Sequence, residues 1–424
     1  MATTFLESLD NGVIYMSTTE PNYEIITLSN GLRCVFRRGR GVAYCGVAVN
    51  AGSRDEDRDN HGLAHFVEHT LFKGTSRRRS WQIASRMERV GGELNAYTTK
   101  EETMVYTVAP HGYLPRAIDL LADVVCDSVF PDTELEKERE VVIDEINSYL
   151  DSPADAVYDE FEDLLYAGST LGHNILGDAE SVRRLTGEDC RRFVRRYYTP
   201  ANMVMYCVAD TTAGILEKLL ERNFGHMHFD GHTPVRDVPA PVPRFGIVRD
   251  NGRHQAHTLM GCTLFGRHDP RRHALLLLNN YIGGPCMNSR LNLELRERRG
   301  YVYAADSSVA LMSNCGTFQV YYGCDREHVG ACARIVNNII AGLAENPMKP
   351  RVFEQVKRQY LGQLEVSASH AESRAMALGK SLLYYGRVVG VDEAADAIKA
   401  LRPEDVCDVA GLIASAGLSS LTLA

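Results

Sequence analysis

The stretch ERVGGELNAYTTKEETMVYTV (88–108), followed by the helical pattern YLPRAIDLLADVV (113–125), has a counterpart in RERRGYVYAADSSVALMSNCGTFQVYYG (296–323), followed by HVGACARIVNNII (328–340). In both, glycine precedes a pair of β-rich runs and an amphipathic helix closes the unit. Aligning Ala117 with Ala331 gives an offset of 331 − 117 = 214 residues, close to half of the 424-residue chain. Each half also opens on β-rich segments: EIITLSNGLRCVF (24–36) and AYCGVAVNAG (43–52) in the first, FGIVRDN (245–251) and QAHTLMGCTLF (255–265) in the second. Ser29-Asn30-Gly31 between apolar runs is a hairpin signal. Between them, FDGHTPVRDVPAPVPR (229–244) holds Pro234, Pro239, Pro241 and Pro243, whose fixed φ and missing amides suit an extended connector. The expectation is an α+β fold of two homologous domains, residues 1–228 and 245–424, joined by a Pro-rich linker at 229–244. Each domain is expected to be a largely antiparallel sheet covered by helices, the pair arising from internal duplication.

Composition narrows the function. With 45% hydrophobic and 24% charged residues the chain can bury a sizeable core, and disorder or coiled coil is excluded as its dominant state. A net charge of −9 argues against binding nucleic acid through overall charge, so no nucleic-acid partner is expected. Eleven cysteines, an odd number without any CxxC pair, fit reduced thiols better than a disulfide framework. The segment MATTFLESLDNGVIYMSTTEPN (1–22) has neither a basic nor an apolar leader region, and no run of about 18 apolar residues occurs. A cytoplasmic protein without membrane association is the expectation.

The sharpest local feature is HGLAHFVEHTLFKG (61–74). Read as a helix, it places Leu63, Phe66, Val67 and Leu71 on one stripe and His65, Glu68, His69 and Phe72 on another. The two histidines then lie about 40° apart around the helix axis, with Glu68 about 60° to the other side of His65. Two neutral imidazoles can reach one zinc ion while the neighbouring carboxylate receives a proton from water. The order H-x-x-E-H inverts the commoner zinc motif. The bland alternative is a helix with solvated or satisfied histidines on its polar face.

Downstream, Thr133-Glu134-Leu135-Glu136 reads as a capping box opening the helix TELEKEREVVIDEINSYL (133–150). Its stripe Leu135, Val142, Ile146 and Tyr149 marks the buried side, and Glu138 and Glu145 fall on or beside it. Buried carboxylates need a cation, which makes Glu145 the third metal ligand and Glu138 a group that orients a histidine or the metal-bound water. For Glu138, pairing with Lys137, Arg139 or another basic side chain remains the alternative.

Taken together, His65-Phe-Val-Glu68-His69, Glu145 at 145 − 69 = 76 residues further on, LFKGT, GGELNAYTTKEETMVY and YYTPANMVMYCVAD resemble the pitrilysin, insulin-degrading-enzyme and mitochondrial-processing-peptidase family of zinc metallopeptidases, in its half-size branch. The resemblance implies a metalloendopeptidase with one Zn2+ per chain, bound by His65, His69 and Glu145, and Glu68 as general base. It also implies that Asn95, Ala96 and Tyr97 lie on an edge strand to which substrate adds through main-chain hydrogen bonds. Arg296 and Tyr303, seven residues apart, match the family's Arg/Tyr pair that holds substrate backbone and the developing oxyanion. Their alternative is a solvated basic cluster with Arg298 and Arg299, beside a strand aromatic.

By the same resemblance, peptides or unfolded segments are the substrates, and two copies close into a clamshell homodimer. The competing reading is a non-catalytic scaffold or peptide-binding subunit, although such members usually lose zinc-site residues that are all present here. Several lesser features are expected to be incidental: His226, His228 and His232 near the linker, His61 at a frayed helix start, and Gly283-Gly284-Pro285, which lacks the residues of a phosphate loop. Trp81 is expected to pack.

Overall fold

A computed structural model of the chain describes residues 23–227, 233–250, 252 and 254–424. The first half builds a six-stranded sheet from β1 (Glu24–Thr27), β2 (Arg33–Arg38), β3 (Ala43–Val49), β4 (Glu93–Thr98), β5 (Thr103–Ala109) and β6 (Met203–Ala209). The second builds a five-stranded sheet from β7 (Gly246–Arg249), β8 (Gln255–Leu264), β9 (Val302–Leu311), β10 (Gly316–Asp325) and β11 (Ser419–Leu423). The spatial orders are β1-β2-β6-β3-β5-β4 and β7-β11-β8-β10-β9. Apart from the extra hairpin strand β1, the two orders are the same. In each, the last strand of the half runs parallel to the opening one, β2 with β6 and β7 with β11, and every other pair is antiparallel. The two halves are thus homologous α+β units.

One face of the first sheet packs under helices Leu63–Leu71, Ser80–Glu88, Leu114–Cys126, Asp132–Leu150, Gly187–Tyr197 and Ala213–Phe224 in a single apolar core. The second sheet is covered likewise by helices Arg272–Gly283, Val329–Glu345, Pro350–Ser367 and Pro403–Ala416. The reverse faces are covered by exchange. Helix Ala371–Tyr385 of the second half lies on the first sheet, where Leu378 and Leu382 meet Val35, Ala48, Met104 and Tyr206. Helix Pro153–Leu165 of the first half lies on the second sheet, where Val157 and Phe161 meet Leu259, Tyr321 and Leu421. With both faces covered, the central strands are buried nearly throughout, AYCGVAV in β3 and GTFQVYYG within β10.

A buried ion network joins the halves. Glu101, in the β4–β5 turn, accepts from Arg54 Nη1 at 2.6 Å, Arg267 Nη2 at 2.6 Å, and the Ser313 amide and hydroxyl at 2.8 and 2.7 Å. Arg236, from the connecting segment, pairs with Asp55 at 2.7 Å and approaches Glu101 at 3.7 Å. Among the described residues no helix is long and apolar enough to cross a membrane.

Three local expectations are corrected. The helix bearing Glu138 and Glu145 starts at Asp132 behind Pro131, whose fixed φ suits a helix entry, and Thr133 does not cap it. Tyr149 is exposed rather than buried, because the helix has left the core by its last turn. Trp81 is 56% exposed with the Arg89 guanidinium over its ring, so it is not a packing residue. His228 and His232 lie outside the described residues, as does the segment 1–22 that was read for a leader.

Glu101→Ala should leave Arg54 and Arg267 buried without their shared carboxylate and cost about 3–5 kcal/mol of stability. Urea denaturation of the two proteins checks this, and an unchanged midpoint would contradict it.

Candidate metal centre

The helix Leu63–Leu71 is placed by both of its faces. Leu63, Phe66, Val67 and Leu71 are buried in the first core, which turns His65, Glu68 and His69 the other way. At its N-terminus Gly62 has φ 88°, a conformation that L side chains rarely adopt, and a Cβ there would come within 2.4 Å of the Leu176 carbonyl oxygen. Two amides at this end are satisfied by a side chain just upstream. Glu56 accepts from the Gly62 and Ala64 N–H groups at 2.9 and 2.7 Å, and His173 Nε2 lies 3.0 Å away. Burial pushes the Glu56 carboxyl up to about 8 despite those donors. His61, outside the helix, stacks on His173 with ring centroids 4.0 Å apart and takes no part in the cluster below.

The helix Asp132–Leu150 brings in the carboxylates. Leu135, Val142 and Ile146 anchor it, with Glu138 on the same buried stripe and Glu145 half-buried beside it. Glu145 Oε2 faces His65 Nε2 at 3.8 Å and His69 Nε2 at 3.5 Å. His65, His69 and Glu145 each offer one ligand atom, and these atoms lie within 4.8 Å of one another. Glu138 Oε1 bonds His69 Nδ1 at 2.9 Å, while its Oε2 pairs with Lys73 at 2.5 Å. The basic partner is therefore Lys73, one turn beyond His69. Lys137 pairs with Glu134 and Arg139 with Glu136.

This donor set fits zinc. Two imidazoles and a carboxylate form a recognised catalytic ligand set, and the Glu138 contact on Nδ1 leaves Nε2 of His69 toward the site. Electrostatics agree. Burial opposes protonation of His69, but the carboxylates of Glu138 and Glu145 outweigh it and push its pKa up to about 9. Burial, aided by His69, lowers His65 to about 4. Hydrogen bonding from His69 holds Glu145 below the usual carboxylate range. Burial, with the charge of Glu145 nearby, raises Glu68. Glu68 Oε2 is buried without a hydrogen bond among the described residues, and the Thr98 side chain beside the carboxyl works against the rise.

The remaining predicted residues fall elsewhere. Asn95, Ala96 and Tyr97 lie on β4, which is the free edge of the first sheet, with Asn95 exposed. Arg296 lies on a π-helical turn, Asn292–Glu297, with its side chain exposed. Tyr303 is the second residue of β9, and its hydroxyl lies near His257. Neither has a hydrogen bond or ion pair to the His65–His69–Glu145 cluster among the described residues. Reading the sequence missed Lys73 and Glu56. Lys73 follows His69 by one helical turn, a spacing that could have pointed to it.

Residues 38–179 match the model of the insulinase family, peptidase family M16, and residues 184–360 match that of the peptidase M16 inactive domain. A Streptomyces coelicolor protein named an uncharacterized zinc protease is 32% identical over 398 residues, covering 91% of this chain and 85% of the relative. An uncharacterized zinc protease of Bacillus subtilis is 32% identical over 383 residues, covering 90% and 93%. The mouse mitochondrial-processing peptidase subunit beta is 28% identical over 401 residues, covering 91% and 81%. The crystal structure of a protease from Helicobacter pylori has the same fold, with a TM-score of 0.87 at 21% identity over 95% of this chain and 99% of that one.

With the carboxylates of Glu138 and Glu145 pushing His69 up to about 9, zinc addition at about pH 7.5 should release about one proton per ion if His69 is a ligand. Calorimetry in buffers of different ionisation enthalpy measures it. His69→Ala should abolish the release.

Proposed function

Since the chain belongs to peptidase family M16, the insulinase family, we propose that it is a zinc-dependent metalloendopeptidase for peptides or unfolded segments. The observation that carries this reading is the convergence of His65, His69 and Glu145 beside the buried carboxyl of Glu68. His65, His69 and Glu145 would hold the zinc, whose bound state polarises a carbonyl and makes water more acidic. Glu68 takes a proton from the attacking water and delivers it to the leaving amine; its raised pKa suits both transfers. Glu138 holds the His69 ring through Nδ1, and Lys73 keeps Glu138 ionised, so the ligand stays oriented.

Substrate binding is assigned to β4. Among the described residues it pairs only with β5, so its outer edge offers main-chain groups to an extended peptide, a mode that would tolerate many sequences. Arg296 and Tyr303 are assigned to the substrate backbone and the developing oxyanion. As neither is bonded to the metal cluster of its own chain, we place them in the site of a second copy, within a homodimer that closes a chamber.

Glu68→Gln should keep its zinc yet lose about 10²- to 10⁴-fold in cleavage of a mixed peptide library read by mass spectrometry. Intact peptides with zinc-loaded wild type would instead favour a scaffold. Glu138→Gln should weaken zinc about 10- to 100-fold in a chelator competition. If sites form between chains, mixing Glu68→Gln with an Arg296→Ala/Tyr303→Phe variant should restore about a quarter of wild-type activity. No restoration would place both halves of a site in one chain.

A further inference from the structure

Tyr303 occupies an irregularity in the second sheet. Along β9 and β10, Gly323 pairs with Ala304 and the next residue, Cys324, pairs with Val302, so Tyr303 is the extra residue of a β-bulge. A bulge breaks the strict alternation of side chains and re-aims the one it carries. Here it turns the Tyr303 ring across β10. A Cβ at Gly323 would come within 2.3 Å of the Tyr303 hydroxyl oxygen and 2.4 Å of Cζ, so the ring lies on a floor that only glycine provides. His257 of β8 stands directly opposite Gly323. The Tyr303 hydroxyl is 3.4 Å from each imidazole nitrogen of His257, and the Tyr321 hydroxyl meets the same ring. That hydroxyl in turn sits 2.8 Å from His257 Nδ1.

Exposure divides the group. Tyr303 is 46% exposed, against 7% for Tyr321 and 9% for His257. The support is itself braced, since Tyr321 stacks on Tyr158 from helix Pro153–Leu165 of the first half, with ring centroids 5.6 Å apart. Tyr158 also lies near Asp306, the residue opposite Tyr321 in the sheet.

We propose that Tyr321 and His257 are positioning residues that hold Tyr303 with its hydroxyl proton directed outward to the substrate carbonyl oxygen. A phenol has one proton to donate. It can donate that proton to substrate only when its neighbours supply donors to its oxygen rather than acceptors for its proton. In the arrangement His257 Nδ1–H to Tyr321 oxygen and Tyr321 O–H to Tyr303 oxygen, each bond strengthens the next and leaves one outward donor. The inference rests on the peptidase reading and on the oxyanion role assigned to Tyr303.

The test is a double-mutant cycle on the full-length, zinc-loaded protein with a fluorogenic peptide. Tyr321→Phe should lower kcat about 10-fold with little change in KM, and His257→Gln should act in the same direction. Neither should cause a further loss on a Tyr303→Phe background. Equal losses in both backgrounds, or no loss, would overturn the proposal. So would an unaltered kcat in Tyr303→Phe. Ring resonances of 13C-labelled tyrosine give a readout that does not depend on activity: Tyr321→Phe and Gly323→Ala should each shift the Tyr303 signal and speed its ring flips. An unperturbed Tyr303 signal in both variants overturns the proposal even where wild type cleaves nothing, whereas a perturbed signal with no cleavage by wild type rejects the peptidase reading alone.

Discussion

The carboxylate of Glu101 is the point on which the placement of the two halves depends. It is 3% exposed, and a lone charge at such a site would be strongly unfavourable. Arg54 from the first half, Arg267 and Ser313 from the second, and Arg236 from the connector converge on it, so its satisfaction requires all three parts of the chain at once. Its neighbour Glu102 meets Lys380 and Tyr384 on helix Ala371–Tyr385. Both acids sit in the turn that follows β4. The edge strand assigned to substrate is therefore fixed at one end to the opposite half, and movement between halves would be felt there first.

The exchanged helices act in the same sense through apolar area. Each reverse sheet face, left alone, would expose Val35, Ala48 and Met104 or Leu259 and Leu421 to water. Covering each with a helix from the other half buries that surface only when both halves have folded. The unit that folds cooperatively is then the pair. Duplication supplied two similar sheets, and their helices have since diverged: the one after β3 carries His65, Glu68 and His69, while its counterpart after β8, Arg272–Gly283, is rich in buried leucine.

How far the fold and site were legible depended on range. Periodicity of 3.6 placed His65, Glu68 and His69 on one face, and a buried stripe singled out Glu138 and Glu145, because neighbours along one helix share a local rule. The internal offset carried the duplication. What the sequence left out followed no periodic pattern. Glu56 satisfies helix amides six and eight residues on, and no local pattern announces it. Pro131, rather than the capping-box residues Thr133 to Glu136, opens the ligand helix because its fixed φ suits that entry. Trp81 was assigned to packing on composition alone, and position on an exposed helix face decided otherwise.

The two outermost strands show what duplication makes possible. β4 and β9 hold the same place in their sheets, each next to the strand that pairs with β3 or β8. An open sheet edge invites another strand, and a bulge discourages one by twisting the edge and interrupting its row of donors and acceptors. β4 pairs with β5 in unbroken register from Glu93 to Thr98, as recognition of a peptide backbone requires. β9 is bulged at Tyr303, which gives up regular pairing at that point and gains a side chain laid across Gly323 toward His257. In the proposed reaction the same topological position thus serves two needs, main-chain recognition in one half and presentation of a hydroxyl in the other. The difference rests on one extra residue in the pairing of a strand.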